Sequence, residues 1–233
     1  MTQQRYAPDV GHKFHTDGSV RHFPGNTIIC FADPVGQAYQ DAAWVQHELL
    51  KTSYNHKFAI LPPSSFHMTV FDLLCDDVRS PDKWSSKLAL DATLIETDEF
   101  FINAIQHIPA PDNFRMTFQH LNLGTNGLSL YLKPIDDAMN QLIRGYRDQL
   151  ADATGVRQPN HDAYAFHLSL AYRILQTTDE EEAQLIELAD RINARLSDSF
   201  GVFDTGQPTL TFFDDMFAFL PEHERMTLSS RQA

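Results

Sequence analysis

The sequence predicts an α+β fold in which antiparallel strands are mixed with helices. Short apolar segments bounded by Pro, Gly or Asp occur between longer segments that carry an apolar stripe at helical spacing. Asn126-Gly127 separates two of the strand-like segments, and this dipeptide favours a tight antiparallel hairpin. A five-residue strand motif also occurs twice, 100 residues apart. Since no low-complexity linker divides the chain, we expect a lead-in segment at 1–25 and one domain at 26–233.

The predicted elements begin with a strand and end with a strand or hairpin. Segments rich in β-branched and aromatic residues are predicted as strands, at 27–32, 58–61, 66–74, 114–123, 128–133, 163–174 and 209–220. Segments with helical apolar spacing or helix-start residues are predicted as helices, at 36–52, from Ser80 onward, and at 98–107, 134–154 and 178–196. Gly155 is expected to end the helix at 134–154.

Composition and charge limit the classes of function. The 233 residues are 42% hydrophobic, and no apolar run approaches the roughly 18 residues that a membrane-spanning helix needs. A formal charge of −13 argues against binding of long nucleic acid, which requires a surplus of Lys and Arg along one face. A few local donors can still bind a small anion at short range. We therefore expect a soluble monomer with a small ligand and no membrane partner.

The N-terminal segment and the cysteines favour a cytoplasmic protein. The segment from Met1 to Val10 is polar and lacks the apolar core of a secretory signal. Cys30 and Cys75 each lie inside an apolar strand-like segment, which is typical of small buried side chains. A disulfide between them is the alternative, but no feature of the sequence requires an oxidising compartment.

The repeated motif is the most specific feature of the chain. Phe66-His67-Met68-Thr69-Val70 and Phe166-His167-Leu168-Ser169-Leu170 share the pattern Phe-His-apolar-hydroxyl-aliphatic. Of the 11 histidines, these two alone have Thr or Ser two positions later. Because alternate residues of a strand share a face, each histidine lies beside its hydroxyl residue and opposite the apolar residues. Each histidine could instead be a satisfied residue of a half-buried strand, an interpretation that two matched copies weaken.

Two imidazoles that face one cleft suit phosphodiester chemistry. Their unperturbed pKa of about 6.5 makes both protonation states accessible at neutral pH. One neutral imidazole takes a proton from a water or a ribose hydroxyl, and the other, protonated, gives one to the leaving oxygen. Thr69 and Ser169 are expected to donate hydrogen bonds to the non-bridging phosphate oxygens. The sequence does not decide which histidine is the acid, and the reaction requires neither a metal nor a cofactor.

These motifs resemble those of the 2H phosphoesterase superfamily, which includes RNA ligase-like enzymes and cyclic phosphodiesterases. The lead-in from Gly11 through Phe23-Pro24-Gly25-Asn26-Thr27 and the segments around Phe66-His67 and Tyr164–Tyr172 are similar to the branch catalogued as domain of unknown function 1868. The resemblance implies a bilobal fold with two antiparallel sheets facing a central cleft, helices on the outer faces and pseudo-twofold symmetry. It also implies catalytic roles for His67 and His167. Ser169 stands where Thr is commoner in the superfamily, but it keeps the hydroxyl.

Strand alternation also predicts the neighbours of the two histidines. Phe71 is expected on the His67 face, as a stacking surface if the cleft holds a nucleobase. Arg173 is expected on the His167 face, where its guanidinium would clamp phosphate, the alternative being a solvated strand-end arginine. Tyr164 and Tyr172 are expected on the opposite face, in the core.

The lead-in segment offers a weaker, competing set of ligands. His12, His15 and His22, with Asp9 and Asp17 nearby, could hold a metal, but their spacing lacks the tight pattern of a zinc site. No metal site is therefore predicted. The segment could fold over the cleft, or it could be a simple surface segment.

We therefore expect a metal-independent phosphodiesterase that hydrolyses a cyclic phosphate or a 2′–5′ or 3′–5′ linkage in a small nucleotide or short oligonucleotide. The alternative is a catalytically idle module that sequesters a nucleotide in the same cleft. A third hypothesis is metal-dependent hydrolysis through the N-terminal histidines.

Overall fold

The computed structural model describes residues 5–232 and has an α+β architecture. The strands are β1 (Gly25–Phe31), β2 (Phe58–Ile60), β3 (His67–Cys75), β4 (Arg115–Leu123), β5 (Gly127–Pro134), β6 (His167–Arg173), β7 (Val202–Asp204), β8 (Thr209–Asp215) and β9 (Ala218–Pro221). The helices are α1 (Gln37–Leu50), α2 (Leu94–Ile105), α3 (Asp137–Thr154) and α4 (Asp179–Ser199). The α+β class predicted from the sequence is therefore confirmed.

The strands form one curled antiparallel sheet in the order β7-β4-β5-β6-β3-β1-β8-β9, with β2 paired to β6. The expectation of two separate sheets is wrong, because the two motif strands β3 and β6 are themselves paired. The contact between β3 and β6 is short, since Met68 and Leu168 are its one residue pair, whereas β1 and β3 share six residue pairs. A central pair of strands therefore brings the two copies of the motif to the middle of a single sheet.

The apolar residues of the two motifs anchor the sheet to its helices. Phe66, Met68, Phe166 and Leu168 are each at most 1% exposed and belong to the main core, together with apolar residues of all four helices. Burying a side chain of this size stabilises the fold by about 1.5–3 kcal/mol. The polar residues of the same strands consequently face the other side of the sheet.

Local capping signals explain where the helices begin and end. Thr93 and Glu96 form a reciprocal capping box at the start of α2, and Gly155, with φ of 69°, ends α3 in the left-handed conformation. The predicted helix start at Ser80 is wrong, because residues 77–93 contain turns and irregular backbone. The capping box at Thr93, thirteen residues after Ser80, sets the start of α2 instead.

Two further predictions concern membranes and cysteines. Among residues 5–232, the helices are too short or too polar to cross a bilayer. Cys30 and Cys75 are both unpaired thiols, as the sequence predicted, but the predicted burial holds for Cys30 only, since Cys75 is half-buried. Burial raises the pKa of each thiol to about 12, so neither is a reactive thiolate at neutral pH.

Candidate active site

A cleft of about 610 Å³ lies on the face of the sheet opposite the main core. Both copies of the motif contribute to it, through His67, Thr69, His167 and Ser169. Its size falls within the range of roughly 300–1,000 Å³ that small-molecule sites occupy. The four residues that the sequence singled out for phosphate chemistry therefore share one cavity.

The two histidines are held in the same way. Nδ1 of His67 lies 2.7 Å from the carbonyl oxygen of Ser65, and Nδ1 of His167 lies 2.9 Å from the carbonyl oxygen of Ala165. A carbonyl oxygen can only accept, so Nδ1 carries the hydrogen in each ring. In the neutral imidazole, Nε2 is then the nitrogen with a lone pair. Each strand thus presents a fixed imidazole whose second nitrogen is available for proton transfer.

The two motif strands lie side by side in the sheet, with Met68 and Leu168 as their registered pair. His67 and Thr69 flank Met68, and His167 and Ser169 flank Leu168, so all four lie next to this pair. The two imidazoles and the two hydroxyls therefore line the same part of the cleft.

The surroundings of the two imidazoles differ. His67 packs edge-on against the Phe219 ring, with 4.3 Å between ring centroids. Burial of the His67 ring lowers its pKa to about 4, an effect to which the nearby His167 adds, although the hydrogen bond to Ser65 opposes it. His167 instead stacks on Tyr131, with ring centroids 5.5 Å apart. At neutral pH His67 is therefore a neutral imidazole, ready to accept a proton.

Each motif strand contains a β-bulge at the same position of the repeat. Ile28 and Ile29 pair with Phe71 and Thr69, which leaves Val70 as an extra residue in β3. Leu128 and Ser129 pair with Ala171 and Ser169, so Leu170 is the extra residue in β6. Each extra residue shifts the alternation of side chains beyond it by one position.

The bulges overturn the predicted neighbours of the histidines. Phe71 is 1% exposed, belongs to the main core and contacts the ring of His161, so it offers no stacking surface to the cleft. Tyr172, predicted in the core, lines the cleft instead. Tyr164 precedes the bulge and belongs to the main core, as predicted, at 7% exposure, although it also lines the cleft.

Arg173 also lies away from the predicted position. Its Nη1 donates to the Glu182 carboxylate of α4 at 3.0 Å and to Thr177 at 2.6 Å, and the guanidinium lies 5.4 Å from the centre of the Phe58 ring. These partners are on the helix side of the sheet. The bulge at Leu170 has exchanged the faces of Tyr172 and Arg173, so Arg173 cannot clamp a phosphate in the cleft.

Sequence reasoning missed three charged residues of the cleft, Asp72, Lys13 and Lys83. Asp72 holds the place in β3 that Tyr172 holds in β6. Burial raises the pKa of the Asp72 carboxyl, although the positive charges of Arg147 and Lys13 act to lower it. Asp72 and Tyr172 are 100 residues apart, as His67 and His167 are, and this shared spacing could have identified Asp72 as the counterpart of Tyr172.

The N-terminal histidines do not form a metal site among residues 5–232. His12, His15 and His22 do not converge there, and Asp9 is paired with Lys13 at 3.3 Å, while Asp17 accepts hydrogen bonds from Ser19.

Within the described part of the chain, one cluster has ligand spacing, formed by Asp148, His161 and Asp162. Nε2 of His161 lies 3.0 Å from Asp148, and Arg157 contacts both carboxylates, at 3.3 and 2.7 Å. The guanidinium supplies the positive charge that a metal would otherwise bring, so the cluster is an ion-pair network.

The comparisons with known proteins agree with the fold and with the first motif. A crystal structure of a conserved protein of unknown function from Agrobacterium tumefaciens superposes with a TM-score of 0.85, over 93% of this chain and 92% of that chain, at 24% identity. At this identity the likeness shows the fold. No curated protein matches the sequence.

A family model matches residues 13–126 and carries the description "Domain of unknown function (DUF1868)", under the name 2H-phosphodiest. The matched segment contains the first motif, His67 to Thr69, whereas the second motif lies beyond it and is identified by the internal repeat. The family name agrees with the 2H relationship that the paired motifs indicate. Over residues 13–126, the chain is therefore similar to the 2H-phosphodiest family of unknown function, DUF1868.

Proposed function

We propose that the protein is a metal-independent phosphodiesterase that hydrolyses a cyclic phosphate or a 2′–5′ or 3′–5′ linkage in a small nucleotide or short oligonucleotide. One observation carries the proposal: two imidazoles, each fixed through Nδ1 to a backbone carbonyl, line one cleft together with two hydroxyls. A single imidazole would serve many roles. A matched pair supplies both proton transfers that phosphodiester hydrolysis needs.

The reaction assigns a separate task to each imidazole. Nε2 of neutral His67 takes a proton from a water molecule as the water oxygen attacks phosphorus. The bond from phosphorus to the leaving ribose oxygen breaks, and protonated His167 gives its Nε2 proton to that oxygen. Proton exchange with solvent then restores both rings. His67 is the base because its lowered pKa keeps it neutral at the pH of the reaction.

The hydroxyls of Thr69 and Ser169 bind the phosphate during this reaction. Each donates a hydrogen bond to a non-bridging oxygen, where negative charge builds up as water attacks. Because both residues lie on paired central strands, the donors are positioned before the substrate arrives. Removing one such donor commonly slows an enzyme by about 10²–10³-fold.

The size and charge of the molecule favour a small substrate. The cleft of about 610 Å³ accommodates a nucleotide, with apolar side chains of Phe213, Met216 and Phe219 beside the polar motif residues. The formal charge of −13 repels a long polyanion over distances at which local donors have no effect.

A panel of phosphodiesters tests the proposal. Purified protein is incubated with nucleoside 2′,3′-cyclic and 3′,5′-cyclic phosphates and with 2′–5′ and 3′–5′ dinucleotides, each with and without EDTA. We expect at least one to be hydrolysed at a rate that EDTA leaves unchanged. The matched variants are His67→Ala and His56→Ala, since His56 also bonds a backbone carbonyl through Nδ1, at 3.2 Å, but lies outside the cleft.

The outcomes separate the proposal from its rivals. Loss of turnover in His67→Ala with full turnover in His56→Ala supports it. Recovery of an intact nucleotide from the wild-type protein after prolonged incubation points to the idle binding module. Loss of activity with EDTA contradicts the metal-independent mechanism.

A further inference from the structure

The motif strands bring no lysine or arginine to the cleft, although the proposed substrate is an anion. Thr69 and Ser169 are neutral donors, and Arg173 lies behind the sheet. Arg147 is 2% exposed, and its guanidinium donates to the backbone carbonyls of Val70 and His161. A lysine or arginine that binds the phosphate between the histidines must therefore come from another part of the chain.

Two lysines line the cleft, and they differ in how firmly they are held. Nζ of Lys13 lies 3.3 Å from the Asp9 carboxylate, 3.5 Å from the Tyr172 hydroxyl and 4.9 Å from the centre of the Tyr172 ring. Lys83 is exposed and makes no side-chain ion pair within the described residues. Lys13 is thus a cation with a fixed position in the cleft.

The backbone around Lys13 is also fixed. The amide of Lys13 donates to the carbonyl of Asp9 at 2.9 Å, and its own carbonyl accepts from Arg21 at 2.8 Å. The next residue, Phe14, is fully buried, with its ring centroid 4.9 Å from that of Tyr172. Holding Lys13 in place in advance reduces the entropy that a ligand would otherwise have to overcome.

We propose that Lys13 and Tyr172 form an anion-binding subsite that takes the phosphate oxygens of the substrate, with the lead-in segment completing the active site. An ammonium group has three N–H donors, of which Asp9 and Tyr172 occupy two, so one is left for a phosphate oxygen. This inference rests on the proposed function and extends it, because it names a lysine that binds phosphate, which the two motifs lack.

Electrostatics agree with the geometry. Burial acts to lower the pKa of Lys13, but Tyr172 and Asp9 raise it above its ordinary value, so the side chain stays charged at neutral pH. The Lys13 charge also acts to lower the pKa of Asp72. Lys13 therefore exerts its field on the opposite strand of the cleft, beyond its own contacts.

Titration with inorganic phosphate tests the subsite without assuming a nucleobase. Phosphate is added to the full-length protein while the ring-proton NMR signals of His67 and His167 are followed. We expect saturable shifts in the wild type and an apparent Kd at least about tenfold higher in Lys13→Met, the effect of losing one charged hydrogen bond. Lys51→Met is the matched control, because Lys51 pairs with Glu48 far from the cleft lining.

Each other result counts against the subsite. The subsite is contradicted if Lys13→Met binds phosphate as tightly as the wild type. It is also contradicted if only Lys83→Met weakens phosphate binding, or if the wild type does not respond to phosphate. If Lys13→Met does not fold, Lys13→Gln keeps a donor to Asp9 and removes the charge, and the same loss is expected. If no phosphodiester is hydrolysed but the phosphate response depends on Lys13, the proposed function fails and the subsite stands.

Discussion

At the scale of single residues, the environment of each side chain decides its chemistry. His67 and His167 have the same motif and the same bond from Nδ1 to a carbonyl, yet Phe219 packs on one and Tyr131 on the other. The sequence predicted both residues and their shared cleft, because a repeated pattern on strands has one geometric meaning. It did not distinguish acid from base, because this depends on burial by residues about 150 positions away in the chain.

The half-buried His67 makes stability depend on pH. Its pKa is about 4 in the folded protein and about 6.5 when unfolded, so between these values the unfolded state binds the extra proton. The stabilisation is therefore present above about pH 6.5 and is lost as the pH falls towards 4, by up to about 3 kcal/mol.

Urea unfolding at about pH 7 and about pH 4.5 measures this loss. We expect the free energy of unfolding to fall less in His67→Phe than in the wild type, whereas His56→Phe, at an exposed turn, should behave like the wild type. If the free energy of unfolding decreases equally in the wild type and in His67→Phe, the fold does not favour the neutral form of His67.

The hydroxyl of Ser169 provides a second test at this scale. Ser169→Ala removes the donor and should lower kcat by about 10²-fold, because charge on the phosphate is then less well stabilised. Ser169→Thr keeps a hydroxyl at the same Cβ and should retain activity within about tenfold. Steady-state kinetics on the best substrate of the panel measure both. Similar kcat values for Ser169→Ala and the wild type would show that Ser169 does not stabilise the phosphate.

At the scale of elements, the bulges at Val70 and Leu170 determine which residues face the cleft. The positions of most strands and helices were predicted within a few residues, because hydrophobic spacing and caps are local signals. The bulges were not predicted, since a simple alternation assumes a regular strand and both bulged residues are ordinary aliphatic side chains. One extra residue was enough to move Arg173 behind the sheet and Tyr172 into the cleft.

Replacing Arg173 tests this change of face. Arg173→Met removes the buried partner of Glu182 and should lower the free energy of unfolding by about 1–3 kcal/mol. Since the guanidinium lies on the helix side of the sheet, kcat/KM should stay within about twofold of the wild-type value. Chemical denaturation and kinetics on the same preparation give both quantities. A large loss of activity without loss of stability would indicate that Arg173 does act in the active site.

At the scale of the whole molecule, one continuous sheet joins the two halves of the active site. The two sheets implied by the resemblance would require the halves to be aligned by packing, whereas pairing of Met68 with Leu168 aligns them by strand register. The sequence could not reveal this pairing, because the strands are 100 residues apart and their contact is short. The lead-in segment adds Lys13 to the same cleft, so three distant parts of the chain build one site.

The most direct test of the central claim is the kcat of His67→Ala, His167→Ala and the double variant on the best substrate of the panel. Each imidazole performs one proton transfer of the same reaction, so each single variant should lose about 10²–10⁴-fold. Residues that act as a unit lose little more when both are removed, so the double variant should be within about tenfold of the slower single variant. Full activity in either single variant would contradict the two-histidine mechanism.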